Sequence, residues 1–155
     1  MDLSTNDGRL AFIGPYATKY GLDPAIVCAV CEQESAWNPW AARFEPAFEA
    51  RYVRPAVPTA PSTEELTKAM SFGLMQVMGE VARELGFGGV SLLQLCDPNI
   101  GVDIGCRKLK KCFAEYTEPE VALLRYNGGG NPNYGKQVLS RVASYQLHPA
   151  AQAVT

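Results

Sequence analysis

Asp23-Pro24-Ala25-Ile26-Val27-Cys28-Ala29-Val30-Cys31-Glu32-Gln33-Glu34-Ser35-Ala36-Trp37-Asn38-Pro39 reads as one helix with a defined start and stop. Asp23 is an N-cap and Pro24 takes the first helical position, where its missing N–H costs nothing. The helix is expected to end at residue 35 or 36, because Pro39 pushes the residue before it out of helical geometry. Positions three, four and seven apart share a helix face, so Glu34 continues the apolar stripe of Val27, Val30 and Cys31. Glu32 is rotated away from that stripe and is expected in solvent. A carboxyl at the end of an apolar stripe loses hydration when ionised, so its pKa is expected to rise toward the range of a proton donor near neutral pH. The plainer alternative is a boundary residue whose stem packs on the core while its head reaches water.

Outward from this helix the chain reads as mainly α. A first helix is expected over residues 8–20, with Pro15 bending or dividing it. Residues 41–62 hold Pro46, Pro55, Pro58 and Pro61 among aromatics and charges. That composition suits a long loop with a short helix near 47–52. Ser62 or Thr63, with Glu64 and Glu65 behind, caps a short helix ending near 70. Further helices are expected over 77–85, from Asp97-Pro98 to about 116, over 118–126 from a Thr117 cap, and over 134–145. Three consecutive glycines within 127–133 require a tight loop. Strand-like alternation is almost absent, so any sheet is expected to be small.

The chain has 155 residues, 47% of them apolar and 19% charged, which fits one globular domain with its own core. The expected division is a domain over 1–147 and a flexible tail over 148–155. A net charge of −2 argues against a nucleic-acid partner. Arg107, Lys108, Lys110 and Lys111 are read as the wet side of an amphipathic helix. No apolar run is long enough to span a membrane, so no stable membrane insertion is expected. No basic start followed by an apolar run marks a secretory signal, which leaves a protein kept in a cytoplasm until release or one shown without its export segment. Cys28, Cys31, Cys96, Cys106 and Cys112 are odd in number, which suits a reducing compartment. Cys28 and Cys31 have metal-ligand spacing, but the second half of a zinc site is missing and the one histidine is His148. No metal and no cofactor is therefore expected, and a stoichiometric zinc would overturn that. A monomer is expected.

Three segments, in order, carry a resemblance: Glu34-Ser35-Ala36-Trp37-Asn38-Pro39, Gly73-Leu74-Met75-Gln76-Val77-Met78, and Tyr126-Asn127-Gly128-Gly129-Gly130. Together they resemble the signatures of the soluble lytic transglycosylases, relatives of the goose-type lysozymes with a lysozyme-like fold. The resemblance runs from about residue 20 to 145. It implies Glu34 as the catalytic glutamate and Ser35 as the serine that helps hold the site. It implies that Ser71 and the segment Gly73 to Gln76 contact sugar, with Met75 and Gln76 facing the glycan. Tyr126 and Asn127 match a pair near the catalytic carboxyl, the tyrosine hydroxyl orienting glutamate or substrate, and Tyr134 matches the aromatic that begins the closing helix and is counted with the substrate-binding residues. Two departures stand out. The third signature usually has alanine before its second glycine, where this chain has Gly128-Gly129-Gly130 preceded by Arg125, and residues 45–68 are longer than the connection in many relatives and form a candidate lid.

The implied partner is the glycan of peptidoglycan, cut at the MurNAc-GlcNAc β-1,4 bond. Most glycosidases flank the scissile bond with two carboxylates. The resemblance implies a scheme with one: Glu34 protonates the leaving oxygen and then takes a proton from the sugar's own hydroxyl, leaving a 1,6-anhydro-MurNAc end. The alternative is hydrolysis in the goose-type manner, which needs a second carboxylate. Met78 stands where those relatives tend to place an aspartate, and Glu45, Glu49, Glu64 and Glu65 remain as candidates. A non-catalytic wall-binding module is the third reading. The overall pattern looks like a phage endolysin, held in the host cytoplasm before release to the wall, with an exported bacterial enzyme as the alternative.

Overall fold

A computed structural model of the chain describes residues 1–57 and 60–146; the expected tail at 148–155, with His148, lies outside them. The fold is mainly helical, with eight α-helices and one three-stranded sheet among the described residues. Two compact units are present. One comprises Met1–Trp37 and the described residues from Cys106 onward, the other Asn38–Gly105.

In the first unit, α1 spans Asn6–Tyr20 and α2 spans Pro24–Ser35. Helix α1 starts before the expected residue 8 because Thr5 caps it, its hydroxyl accepting the Gly8 N–H at 3.1 Å. Pro15 neither ends nor divides α1. Pro15 and Ala11, whose carbonyl loses its helical partner to the proline ring, are both exposed, so water can take the bond. Asp23 caps α2 as the sequence indicates, accepting from the Ala25 N–H at 2.8 Å. Two left-handed residues, Ala36 (φ 49°) and Trp37 (φ 65°), then end α2 abruptly. Neither is glycine, so the turn costs roughly 1 kcal/mol or more at each. Burial of the Trp37 ring and its indole N–H, donated to the Tyr145 hydroxyl at 3.0 Å, offsets that cost.

The long helix α6 covers Pro98–Glu115, its second half lying in this unit, followed by α7 at Pro119–Tyr126 and α8 at Tyr134–Gln146. Thr117 does not cap α7; Glu118 holds the cap position without a side-chain bond. Helices α2 and α8 pack against each other, as do α7 and α8. Val27, Val30 and Cys31 of α2 and Val138 and Val142 of α8 are buried. Glu32 departs from expectation. It is only half-exposed, because the Tyr145 hydroxyl donates to its Oε2 at 2.5 Å and Arg141 lies 3.6 Å from its Oε1. Helical rotation took it off the α2 stripe, but α8 covers that side as well.

In the second unit, β1 (Ala42–Phe44), β2 (Met70–Phe72) and β3 (Val77–Met78) form an antiparallel sheet in the order β1-β2-β3. Three strands of two or three residues leave too little alternation to be read from sequence. The expected helix over 77–85 is shortened for the same reason. Its first two residues are β3, and α5 covers Gly79–Glu84. The described residues of the long segment at 45–68 are folded: α3 at Pro46–Phe48 continues into a π-type turn at Glu49–Val53, and α4 at Thr63–Lys68 carries a capping box in which Ser62 and Glu65 bond reciprocally. Glu49 is buried and paired with Arg54 at 2.8 Å. Phe48, Tyr52 and Val53 line a groove of about 670 Å³ together with Glu80, Val81 and Glu84.

All five cysteines are free thiols, four of them buried and Cys112 half-buried. Burial pushes the Cys28 and Cys31 thiols well up, which leaves them neutral and unreactive.

Two stability predictions follow from these contacts. Tyr145→Phe strands the Trp37 indole and the Glu32 carboxylate together and should lower unfolding stability by about 2 kcal/mol in urea titrations. Gly73→Ala meets both a positive φ of 73° and the Leu95 carbonyl oxygen, 2.3 Å from where its Cβ would stand. It should cost about 3 kcal/mol, read as a fall in the thermal midpoint.

Candidate active site

Glu34 lies in the last turn of α2, half-buried, one residue before the left-handed turn that ends the helix. The Tyr134 hydroxyl donates to its Oε1 at 2.6 Å. Such a bond between residues a hundred positions apart depends on where α8 begins, and the glycine loop decides that. Gly128 and Gly129 take φ near 80°, which side chains resist. The Asn127 Oδ1 accepts the Asn131 N–H at 3.2 Å, and the Asn131 Oδ1 accepts the Asn133 N–H at 3.0 Å. The loop is thereby closed on itself, and Tyr134 becomes the first residue of α8, only 2% exposed.

Burial, the Glu34 charge and the hydrogen bond to Glu34 push the Tyr134 phenol far above its ordinary range. It therefore stays protonated, and a protonated phenol is a donor at any working pH. Tyr126, the last residue of α7, is fully buried, and burial followed by the Glu34 charge raises it in the same way. Tyr134 thus makes with Glu34 a bond of the kind expected of Tyr126. Arg125, one residue earlier, is exposed, its guanidinium 5.6 Å from the Tyr116 ring centroid. Ser35 donates its hydroxyl to the Cys31 carbonyl at 3.0 Å, one turn back along α2.

Lys108 is the residue that the sequence reading misplaced. Its side chain is only half-exposed, and its ammonium lies 4.2 Å from the centroid of the Tyr126 ring. Lys110 and Lys111 are exposed as expected, and Arg107 donates to the Tyr20 hydroxyl at 3.0 Å. The signal was present in the spacing: Gly101, Ile104, Gly105, Lys108 and Cys112 fall three or four apart on one side of α6. Burial lowers the Lys108 pKa, and the Glu34 charge opposes that fall.

The middle signature, in the second unit, is built tightly into its own surroundings. Met75 is 0% exposed, and a Cβ at Gly105 would stand 2.3 Å from its sulfur. Instead of facing a glycan, Met75 fills the core, as unbranched thioethers commonly do. Gln76 is 7% exposed and has φ 45°; its amide Nε2 donates to the carbonyls of Ala41 and Gly73, each at 3.0 Å. Its amide nitrogen thus closes the turn between β2 and β3. Gly73 donates its N–H to the Ala41 carbonyl at 2.8 Å and has no room for a side chain. Ser71 is buried in β2, its hydroxyl 3.4 Å from Glu45 Oε1. These residues are brought together as a hairpin whose strain and packing account for their identities.

No helix among the described residues is long and apolar enough to cross a membrane. The Transglycosylase SLT domain family matches residues 12–145, which span both units. A protein of Enterobacteria phage PRD1 named as a transglycosylase is 30% identical over 129 residues, covering 83% of this chain. The aligned part is 38% of that relative's length. With a family match over nearly its whole length, and with the glutamate, tyrosine and glycine-loop residues described above inside that match, this chain belongs to the transglycosylase SLT domain family.

Proposed function

We propose that the chain is a peptidoglycan lytic transglycosylase that cuts the MurNAc-GlcNAc β-1,4 bond with Glu34 as its single acid/base, residues 1–147 acting as one catalytic domain. The observation that carries this reading is the 2.6 Å bond from Tyr134 to Glu34. One carboxyl must serve twice, and it can do so only if its orientation is kept while its charge changes. Glu34 first gives its proton to the glycosidic oxygen, the C1–O bond breaks, and positive charge develops on the muramic sugar. Tyr134 holds one carboxyl oxygen in place and stabilises the anion that has just formed. The Glu34 carboxylate then takes the proton from the C6 hydroxyl of the same sugar, whose oxygen closes on C1. One C–O bond is broken and one is made, the proton returns to Glu34, and no water is consumed.

Hydrolysis in the goose-type manner requires a second carboxylate able to activate water. The four candidates in the long segment are engaged elsewhere. Glu45 pairs with Arg43 at 2.7 Å, Glu49 with Arg54 at 2.8 Å and Glu64 with Arg83 at 2.7 Å. Glu65 accepts the Ser62 N–H at 2.7 Å in the capping box. Those engagements support the one-carboxylate scheme. The phage origin of the relative favours an endolysin-like reading, in which the chain acts as a bacteriolytic monomer and waits in the host cytoplasm until it reaches the wall; an exported wall-remodelling enzyme is the rival.

Mass spectrometry of digested peptidoglycan tests the proposal. Wild type should release muropeptides one water lighter than hydrolytic products, and Glu34→Gln, folded by circular dichroism, should lose roughly a thousandfold or more in rate. Hydrated ends would establish hydrolysis, and unchanged activity in Glu34→Gln would remove the glutamate from the mechanism. In the same assay Tyr134→Phe should lower kcat about tenfold with little change in KM, the pattern of an interaction used in the transition state.

A further inference from the structure

We infer that the groove of the second unit is a docking site for a partner protein: it takes a short segment whose apolar side chains enter beside Phe48, Tyr52 and Val53 while its lysine or arginine side chains meet Glu65 and Glu84. The inference is independent of the reaction proposed for Glu34, since every residue it uses lies in the second unit and outside the three signature segments.

The groove owes its apolar lining to an irregular turn. After α3 the chain widens into the π-type turn at Glu49–Val53, closed by the Arg54 N–H donating to the Glu49 carbonyl at 2.9 Å. Turns of this kind are uncommon and recur at functional sites. The side chains of Glu49 and Arg54 fix this one: Glu49 is buried, and Arg54 donates to it from Nε at 3.2 Å and from Nη2 at 2.8 Å. Neither residue lines the groove. Phe48 and Tyr52 do, with ring centroids 4.8 Å apart, and Val53 and Val81 extend the apolar surface. Tyr52 is 54% exposed and Phe48 half-exposed. A contiguous apolar surface with a polar rim marks a place where something binds, and about 670 Å³ is within the range of sites that bury most of a ligand.

Charge decides what the occupant is. Glu65, Lys68, Glu80 and Glu84 are the charged residues of the lining. Lys68 and Glu80 pair at 3.3 Å, which leaves the carboxylates of Glu65 and Glu84 in excess. Glu65 is held in its anionic form by Ser62, whose N–H and hydroxyl both donate to Oε2, at 2.7 and 2.8 Å. Glu84 is the exposed last residue of α5. Arg51 stands over the Tyr52 ring, 5.2 Å from its centroid, and is not part of the lining. Apolar side chains flanked by cations complement such a surface in both respects. A glycan strand offers it hydroxyl and acetamido groups but no cation. Residues 147–155 of the chain itself contain no lysine or arginine. A basic, apolar segment of another protein is therefore the occupant that lining and charge together select.

The test uses the full chain and a synthetic probe, a short blocked peptide of leucine and lysine, beside a twin with glutamate in place of lysine. Followed by amide NMR, the lysine peptide should move the resonances of Phe48, Tyr52, Val53 and Val81, and it should bind at least about tenfold more tightly than its twin. Two variants separate the parts of the site. Glu65→Gln combined with Glu84→Gln keeps the capping box, where glutamine also serves, and should weaken the lysine peptide about tenfold while leaving the rate on peptidoglycan within about twofold. Tyr52→Ser, at an exposed position, leaves the charge alone and should weaken it about fivefold or more. Absence of binding, shifts that fall elsewhere, equal affinity for the twin, or unchanged affinity in both variants overturns the inference. Displacement of the peptide by muropeptides, or loss of wall cleavage in the double glutamine variant, would give the groove to the substrate instead. Sedimentation that shows a dimer broken by the same substitutions would give it to a second copy of the chain, and either result also overturns the inference. Absence of anhydro ends from the wild type would sink the proposed reaction and leave these outcomes as they stand.

Discussion

A buried phenol that stays protonated, set against a carboxyl that must change charge, is the relation on which the first unit is organised. Tyr134 can donate to Glu34 only if α8 begins at that residue, and α8 begins there because two left-handed glycines and two asparagine side chains close the preceding loop. On the other side, Glu34 is presented only because α2 ends at Ser35, one residue after it, in a turn that non-glycine residues enter at a cost. The second tyrosine of α8 secures the same helix pair, holding Glu32 and receiving the Trp37 indole. Both tyrosines thus fasten α8 to the carboxylates of α2, and the apolar residues between them are buried.

Much of this was legible in the residues. The Asp23-Pro24 cap, the placement of Glu34 on an apolar stripe, the glycine loop and the closing helix follow from local chemistry and helical period, and the structure has them where that chemistry puts them. Contacts between distant elements were not legible. Nothing in the surroundings of Glu32 within α2 announces Tyr145, and no local rule announces the bond from Tyr134 to Glu34. Lys108 is the instructive failure. A run of four basic residues looks like a solvated face, yet helical spacing turns one of the four inward, and counting charge without rotating the helix hides it.

The middle signature shows how a functional motif can be architectural in its details. Gly73 is required by a carbonyl that leaves no room for a Cβ, Met75 by the core against Gly105, and Gln76 by two carbonyls that its amide ties together despite an unfavourable φ. Residue identities there are explained by the turn they make. In the long segment after β1, each carboxylate among the described residues has a local partner in an ion pair or a cap, so its length need not imply a second acid.

The most direct measurement concerns the proton between Tyr134 and Glu34. In the wild-type protein near neutral pH, the Tyr134 hydroxyl should give a downfield, slowly exchanging NMR resonance that disappears when Glu34 is replaced by alanine. A Tyr134 hydroxyl that exchanges in the wild type as fast as that of a solvent-exposed tyrosine would contradict the account, because the carboxyl would then have no fixed orientation from which to work.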